Sequence, residues 1–259
     1  MQIGLQTFTV RKLLRTPKDV DTTFRAVAAL GVENLEIAVD YLNFPFTEAT
    51  ARMLAEAAAR HGLRVASCQI KYETASADIA KTAEWMHILG AKTAVNSVID
   101  LALLAKGREG VLRCCGRLND LAKRLAAHDI AFAHHNHHYE FTRTNGQIVL
   151  DIMTENFDGV GLALDTYWCQ KGGGNVIELL ERLHGRVPVM HLRDFALSRA
   201  GLLTGGTDAA IGEGAIPFGA VLKAAEAAGV GCGMIEQKTK RPMEDVGKSV
   251  KALSIIRKA

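Results

Sequence analysis

At 259 residues, 48% hydrophobic and 23% charged, the chain is long enough for a large core and has the composition of an ordinary soluble globular protein. Its formal net charge of +3 is small and its basic residues are spread along the sequence, which argues against a nucleic-acid groove built from a clustered patch. No run approaches the ~18 apolar residues of a membrane helix.

Met1 to Leu5 leads straight into strand-like sequence, without a basic or long apolar leader. Five cysteines, Cys68, Cys114, Cys115, Cys169 and Cys232, lack CxxC spacing, so reduced thiols are expected rather than a disulfide framework. A soluble, cytoplasmic protein with no membrane partner is the expectation.

The elements alternate along the chain. Ile3 to Phe8 reads as a strand, and Asp19 or Asp21 can cap a helix that runs through Leu30 and stops at Gly31. Asn34 to Val39 is a second strand, with Glu36 embedded in it, followed by a helix over Phe46 to His61. Arg64 to Ile70 and Lys92 to Val98 are strands flanking a helix over Ser76 to Leu89. A long helical segment from about Asp100 to His128 is interrupted near Gly107 and Gly110.

The short apolar run Ile130 to Ala133 makes the fifth strand, followed by a short helix over Gln147 to Thr154. Val160 to Leu164 is the sixth strand, with a helix over Asn175 to Leu183, and Val187 to Leu192 is the seventh, with a helix over Pro217 to Ala228. Gly231 to Glu236 is the eighth, and Glu244 to Arg257 closes the chain. Eight strands alternating with helices and no composition break predict an α/β fold, a (β/α)8 barrel occupying 1–259 as a single domain. A doubly wound open sheet would call for a Gly-rich phosphate turn early on, where Thr9-Val10-Arg11-Lys12 stands instead.

In a barrel, chemistry sits where strands end and loops begin. His134, His135, His137 and His138 crowd the end of the fifth strand together with Asn136 and Glu140. Imidazole and carboxylate bind divalent ions and move protons near neutral pH. His135 and His137 share one strand parity and so one face. No chemistry is assigned to His128, His134 or His138.

Asp165, His191 and Glu236 each close a later apolar run. Singly, they read as a turn or helix-cap Asp, a satisfied core His and a solvated strand end. Converging at successive strand ends they suit a divalent ion, with His135 and Glu140 both open as the fourth ligand. Lys171-Gly172-Gly173-Gly174 is either a close backbone approach to a ligand or a flexible loop, and in Gly212-Glu213-Gly214 only Glu213 is a candidate for more than capping.

These residues are where a family resemblance enters. The chain resembles the xylose-isomerase-like barrel superfamily of sugar and sugar-phosphate isomerases and epimerases. The resemblance is carried by His135-Asn136-His137-His138-Tyr139-Glu140-Phe141, Leu164-Asp165-Thr166-Tyr167-Trp168, His191-Leu192-Arg193-Asp194, Gly212-Glu213-Gly214 and Ile235-Glu236-Gln237. It implies one divalent metal, Mn2+ first with Mg2+, Co2+ or Zn2+ as alternatives, held by a carboxylate, Asp165, His191 and Glu236. Family epimerases take the first ligand from a Glu at the end of strand five, where alignment places His135. Glu140 is the expected ligand here, with His135 as its substitute.

The resemblance further implies proton transfer beside a sugar carbonyl through an enediolate. Glu236 and either Glu140 or His135 would be the catalytic groups, and His137, Trp168, Arg193 and Glu213 would bind substrate. The first function expected is therefore a metal-dependent isomerase or epimerase of a free or phosphorylated ketose. The alternative is a lyase or dehydratase acting by β-elimination on a keto-sugar, 3-oxo-glycoside or keto-inositol, favoured by the nitrogen-rich fifth strand end. Repair of abasic DNA by a three-zinc barrel is disfavoured by the near-neutral charge, and a non-catalytic sugar-binding barrel would need no ion. No phosphate-binding loop is evident, which points towards an unphosphorylated sugar. Dimers or tetramers are common in the superfamily, so a homo-oligomer is allowed.

Overall fold

The computed structural model describes residues 1–197 and 206–258. Eight strands close a parallel barrel: β1 (Gln2–Gln6), β2 (Asn34–Ala38), β3 (Arg64–Gln69), β4 (Thr93–Asn96), β5 (Ala131–His135), β6 (Val160–Asp165), β7 (Val189–Leu192) and β8 (Cys232–Ile235). Each pairs with its neighbours in chain order, and β8 closes on β1 through Gln2–Cys232 to Leu5–Ile235. The outer helices are α1 (Pro17–Ala29), α2 (Glu48–Arg60), α3 (Ile79–Leu89), α4 (Gly107–Ala126), α5 (Val149–Asn156), α6 (Val176–Arg182), α7 (Phe218–Ala227) and α8 (Pro242–Ile256). The expected (β/α)8 architecture is what forms. Among the described residues no helix is long and apolar enough to cross a membrane, and all five cysteines are free and buried.

The strands are apolar because both faces are covered. One face of each packs under the helices through residues such as Leu35, Leu162 and Leu192, and the barrel interior holds small clusters such as Val95, Ala133 and Ala163. The helix ends follow local chemistry with two differences from expectation. Helix α1 starts earlier than Asp19 because Thr16 caps it, accepting a 3.2 Å bond from the Asp19 amide, and Pro17 supplies the first turn. Of the two glycines expected to interrupt the long helical segment, only Gly107, at φ +68°, separates Leu101–Leu104 from α4. Gly110 continues α4, and a Cβ there would stand 1.7 Å from the Leu103 carbonyl oxygen.

Two short antiparallel ribbons decorate the C-terminal end of the barrel. Arg143–Thr144 pairs with Gln147–Ile148, and Asp194–Ala196 pairs with Thr207–Ala209. The second ribbon hangs over the barrel mouth directly after β7.

Candidate metal centre

Strands β5, β6, β7 and β8 are four consecutive staves, and each ends in a ligand-type side chain pointing at the same place. Register makes this unavoidable for two of them, since Asp165 and His191 are direct cross-strand partners. Glu236 continues β8 through its amide, which donates to the Leu192 carbonyl at 3.2 Å. His135, Asp165, His191 and Glu236 each offer one donor atom, and these atoms all lie within 4.8 Å of one another. Two ligand bonds of about 2.0–2.2 Å reach at most about 4.4 Å, so donors at that outer separation would close by a few tenths of an ångström around an ion.

The side chains are almost wholly withdrawn from solvent. Several of their polar atoms have no hydrogen-bond partner: His135 Nδ1, His191 Nδ1 and Glu236 Oε2. The last two face each other at 2.7 Å without the alignment of a hydrogen bond. Unpartnered buried polar atoms cost about 1–3 kcal/mol each, and a cation among them would relieve that cost. The donor set, two imidazoles and two carboxylates, therefore fits a divalent ion.

Asp165 satisfies both readings of its sequence position at once. Its Oδ1 caps the helix Thr166–Lys171 by accepting from the Trp168 amide at 2.7 Å, while Oδ2 lies 3.3 Å from His135 Nε2. Its own amide donates to Asn136 Oδ1 at 3.0 Å, which ties the β5 and β6 ends together.

The charges are strongly coupled. Burial pushes the Asp165 carboxyl up to about 7, against the pull of Arg193. Burial pulls His191 down, but Glu36 and Glu236 more than offset it and hold the imidazole at about 10. Burial also raises Glu236, yet Arg193 and His191 bring it down to about 2. Burial and the neighbouring cations keep His135 well below its ordinary value, so it is neutral near pH 7, and burial brings His137 down to about 4.

Glu140, the expected first ligand, lies outside the group of four. It is fully buried, with Oε1 against His134 Nε2 at 3.1 Å and Oε2 accepting from the His137 amide at 2.8 Å. The turn Tyr139–Phe141 folds the carboxylate back under the loop rather than over the barrel mouth. His135 occupies the β5 position instead. His134, given no role from sequence, is thus the buried partner of Glu140.

The residues expected to hold substrate divide in the same way. The His137 ring sits 4.9 Å from that of His135 and 5.2 Å from Trp168, which stacks on His138. Arg193 spans the mouth. Its Nη1 lies 3.4 Å from Asp165 Oδ2 and 3.2 Å from Glu236 Oε1, while Nε and Nη2 grip Asp208 at 2.9–3.1 Å. Glu213 instead faces outward and pairs with Lys248 at 3.0 Å. The glycines of 172–174 do make a close approach, but to a ring of the protein. A Cβ at Gly172 or Gly174 would lie 2.5 or 2.3 Å from Phe141.

Two residues that hold this centre in place, Glu36 and Asp208, are not singled out by the sequence. Glu36 on β2 reaches across the barrel interior, where Oε1 meets His191 Nε2 at 2.7 Å and Oε2 accepts from Ser67 Oγ at 2.6 Å. That bond leaves His191 Nδ1 directed at the donor group. The available signal was a carboxylate between Leu35 and Ile37 in a strand buried at every position, since a buried charge requires a partner. Asp208 gave no such signal, because its ribbon is too short to show a period.

The fold and site define a (β/α)8 barrel whose C-terminal mouth carries a four-donor group able to hold a cation. The chain belongs to the xylose isomerase-like TIM barrel family, whose model matches residues 24–258. Among solved structures it is similar to a sugar phosphate isomerase/epimerase from Parabacteroides distasonis, with 21% identity, 98% of this chain and 97% of that one covered, and a TM-score of 0.79. It is also similar to the 3-keto-D-glucoside 4-epimerase of E. coli, with 16% identity, 100% of both chains covered and a TM-score of 0.69. A probable 3-DHS dehydratase from Bacillus anthracis shares 14% identity over 98% of this chain and 99% of that one, with a TM-score of 0.70. At these identities the likeness is one of fold. No match is found among the curated proteins.

Proposed function

We propose that this protein is a divalent-metal-dependent sugar isomerase or epimerase that moves a proton on the carbon beside a carbonyl. The observation that carries the reading is the convergence of His135, Asp165, His191 and Glu236 on one point at the barrel mouth. A divalent ion held there, Mn2+ in this proposal, would polarise the carbonyl and stabilise negative charge developing on its oxygen.

The protein's own groups do the rest. Glu236 is held ionised by Arg193 and His191 and is the base that takes the alpha proton. His135, neutral, would hold the ion through one ring nitrogen and keeps only an N–H on the other, so the proton on the far face is taken up or returned by the neutral imidazole of His137, whose ring lies 4.9 Å away. Such general acid–base help is worth about 10²- to 10⁴-fold. Arg193 neutralises the carboxylates and, with His137 and Trp168, orients the sugar and excludes water. Glu140 shapes the loop that carries His137.

A second reading, elimination from a keto-sugar, is favoured by one specific observation: neutral imidazoles of His135 and His137 lie side by side on the β5 face. The His137 imidazole, which is outside the donor group, can take the alpha proton as base and then pass that same proton to the departing oxygen. Solvent deuterium incorporation into a panel of ketoses, set against loss of water or aglycone, separates the two.

The central test is Asp165→Ala. Metal content and turnover are expected to vanish together, and a fully active, metal-free variant would overturn the proposal.

A further inference from the structure

We infer that a second cavity beside the metal centre receives an anionic substituent of the substrate, a phosphate ester or a carboxylate, while the reacting carbonyl lies at the four-donor group. The inference rests on the sugar proton-transfer reading above. The cavity has a volume of about 440 Å³ and is lined by Arg11, Lys12, Tyr167, residues 206–208 and 238–240. These come from the loops that follow β1, β6, β7 and β8, so the cavity opens at the same end of the barrel as the ligand group.

Charge sets this cavity apart. Arg11, Lys12, Lys238 and Lys240 line it against a single carboxylate, Asp208, and that carboxylate is already gripped in two-pronged fashion by Arg193. The lysines that form ion pairs among the described residues are Lys81 and Lys248, not these. The stretch 198–205 contains no acidic residue either. The adjoining cavity, which shares Lys238 and Lys240, balances its basic groups with Glu213 and Asp245. Of these two cavities at the barrel mouth, only the one beside Arg193 carries the surplus.

Unpaired cations around a concave wall focus positive potential, and lysine ammoniums bind phosphate as point charges. In (β/α)8 barrels the loops after the seventh and eighth strands are a recurrent place for such an anion.

The distance to the chemistry is one side chain. Arg193 touches Asp208 at the cavity wall with one edge and Asp165 and Glu236 of the donor group with the other. Tyr167, also in the wall, lies beneath the same guanidinium, 4.8 Å from its ring centroid. A sugar with its carbonyl at the donor group and its far end past Arg193 would place a terminal anion among the lysines. Sequence gave no sign of this, because the cations come from loops more than two hundred residues apart and no Gly-rich phosphate turn is involved.

The test compares binding of D-fructose, D-fructose 6-phosphate and D-fructuronate to the Mn2+-loaded full chain by calorimetry. The same titrations use the Lys12→Ala, Lys238→Ala, Lys240→Ala triple variant, whose folding is checked by circular dichroism. The expected result is a preference of about tenfold or more for a charged ligand over fructose. That preference should weaken as salt rises and collapse towards unity in the triple variant. Preference for the phosphate alone identifies an ester-binding subsite, and equal preference for both anions a general carboxylate or phosphate subsite.

Equal affinity for charged and uncharged sugars, a preference that survives in the triple variant, or no measurable binding of either anion would each overturn the inference. Mn2+ binding and deuterium exchange into uncharged ketoses are read separately, so failure of the proton-transfer reading is distinguishable from failure of the anion subsite.

Discussion

The two halves of the barrel do different work at the same mouth. Strands β5 to β8 present the four donors, each at a strand end. Strands β1 to β4 present none to the group and instead brace it from behind: Ser67 holds Glu36, which holds His191, and Gln6, level with Glu36, donates to Gln69 at 2.7 Å. The presenting half also carries the longer excursions, including the ribbon of Asp194–Ala196 and Thr207–Ala209. A polar centre in an apolar cylinder needs both, because donors without fixed orientation lose affinity and charges without partners are expelled.

The sharpest way to break this division is at β5. Replacing His135 by Ala removes a presenting residue and is expected to reduce Mn2+ retention to background, with turnover lost alongside it. Metal analysis of the purified variant checks this. Full retention would move the β5 ligand to another side chain.

Next in size is a stability effect within the presenting half. The Asp194 carboxylate is fully buried and accepts four amide hydrogen bonds, from Phe195, Gly212, Gly214 and Ile216, at 2.8–3.1 Å. It thereby pins the 212–216 loop beneath the ribbon. Asp194→Ala strands those amides and should lower unfolding free energy by more than about 3 kcal/mol. Asp194→Asn should fall between the variant and the native protein in denaturant titration. A loss below about 1 kcal/mol would mean the loop is held by something else.

The contrast between halves is also a contrast in what the chain made legible. Asp165, His191 and Glu236 each interrupt an apolar run at its end, so strand period alone exposes them and the barrel brings them together. His135 was visible only as the substitute for Glu140, the expected ligand. What separates them is the tight turn at Tyr139–Phe141, whose direction no periodicity encodes. Glu36 sits mid-strand, and its partner His191 is 155 positions away. Pairing across a barrel interior depends on closure, which local pattern does not carry. Glu213 lies away from the donor group for the opposite reason, since its loop is organised by Asp194 and the Glu itself points at Lys248.

The bracing half can be probed without touching a donor. Glu36→Gln keeps the shape but removes the charge that fixes the His191 ring, and Mn2+ affinity should fall about 10- to 100-fold. Titration calorimetry reads the affinity. Nitrogen NMR of the His191 imidazole in the metal-free protein reads the orientation, and it should report a weaker Nε2–H bond, because the Gln oxygen accepts without a charge. Unchanged affinity together with an unchanged ring would show that β2 braces nothing.

The smallest effect is expected at Glu140, and it decides whether that residue presents or braces. Its Oε2 takes the His137 amide and its Oε1 takes His134, so both oxygens are already engaged away from the donor group. Glu140→Gln keeps one acceptor oxygen, so it can satisfy the His137 amide or the His134 Nε2–H but loses the bond to the other. Mn2+ content should therefore stay within about threefold of native, and any loss of turnover should remain within the roughly tenfold that one displaced hydrogen bond of about 1.4 kcal/mol can produce. If the variant instead comes off the column without its ion, the loop after β5 must swing inward on metal binding. Glu140 would then join the presenting half, and His135, released from the ion, would be free for proton transfer.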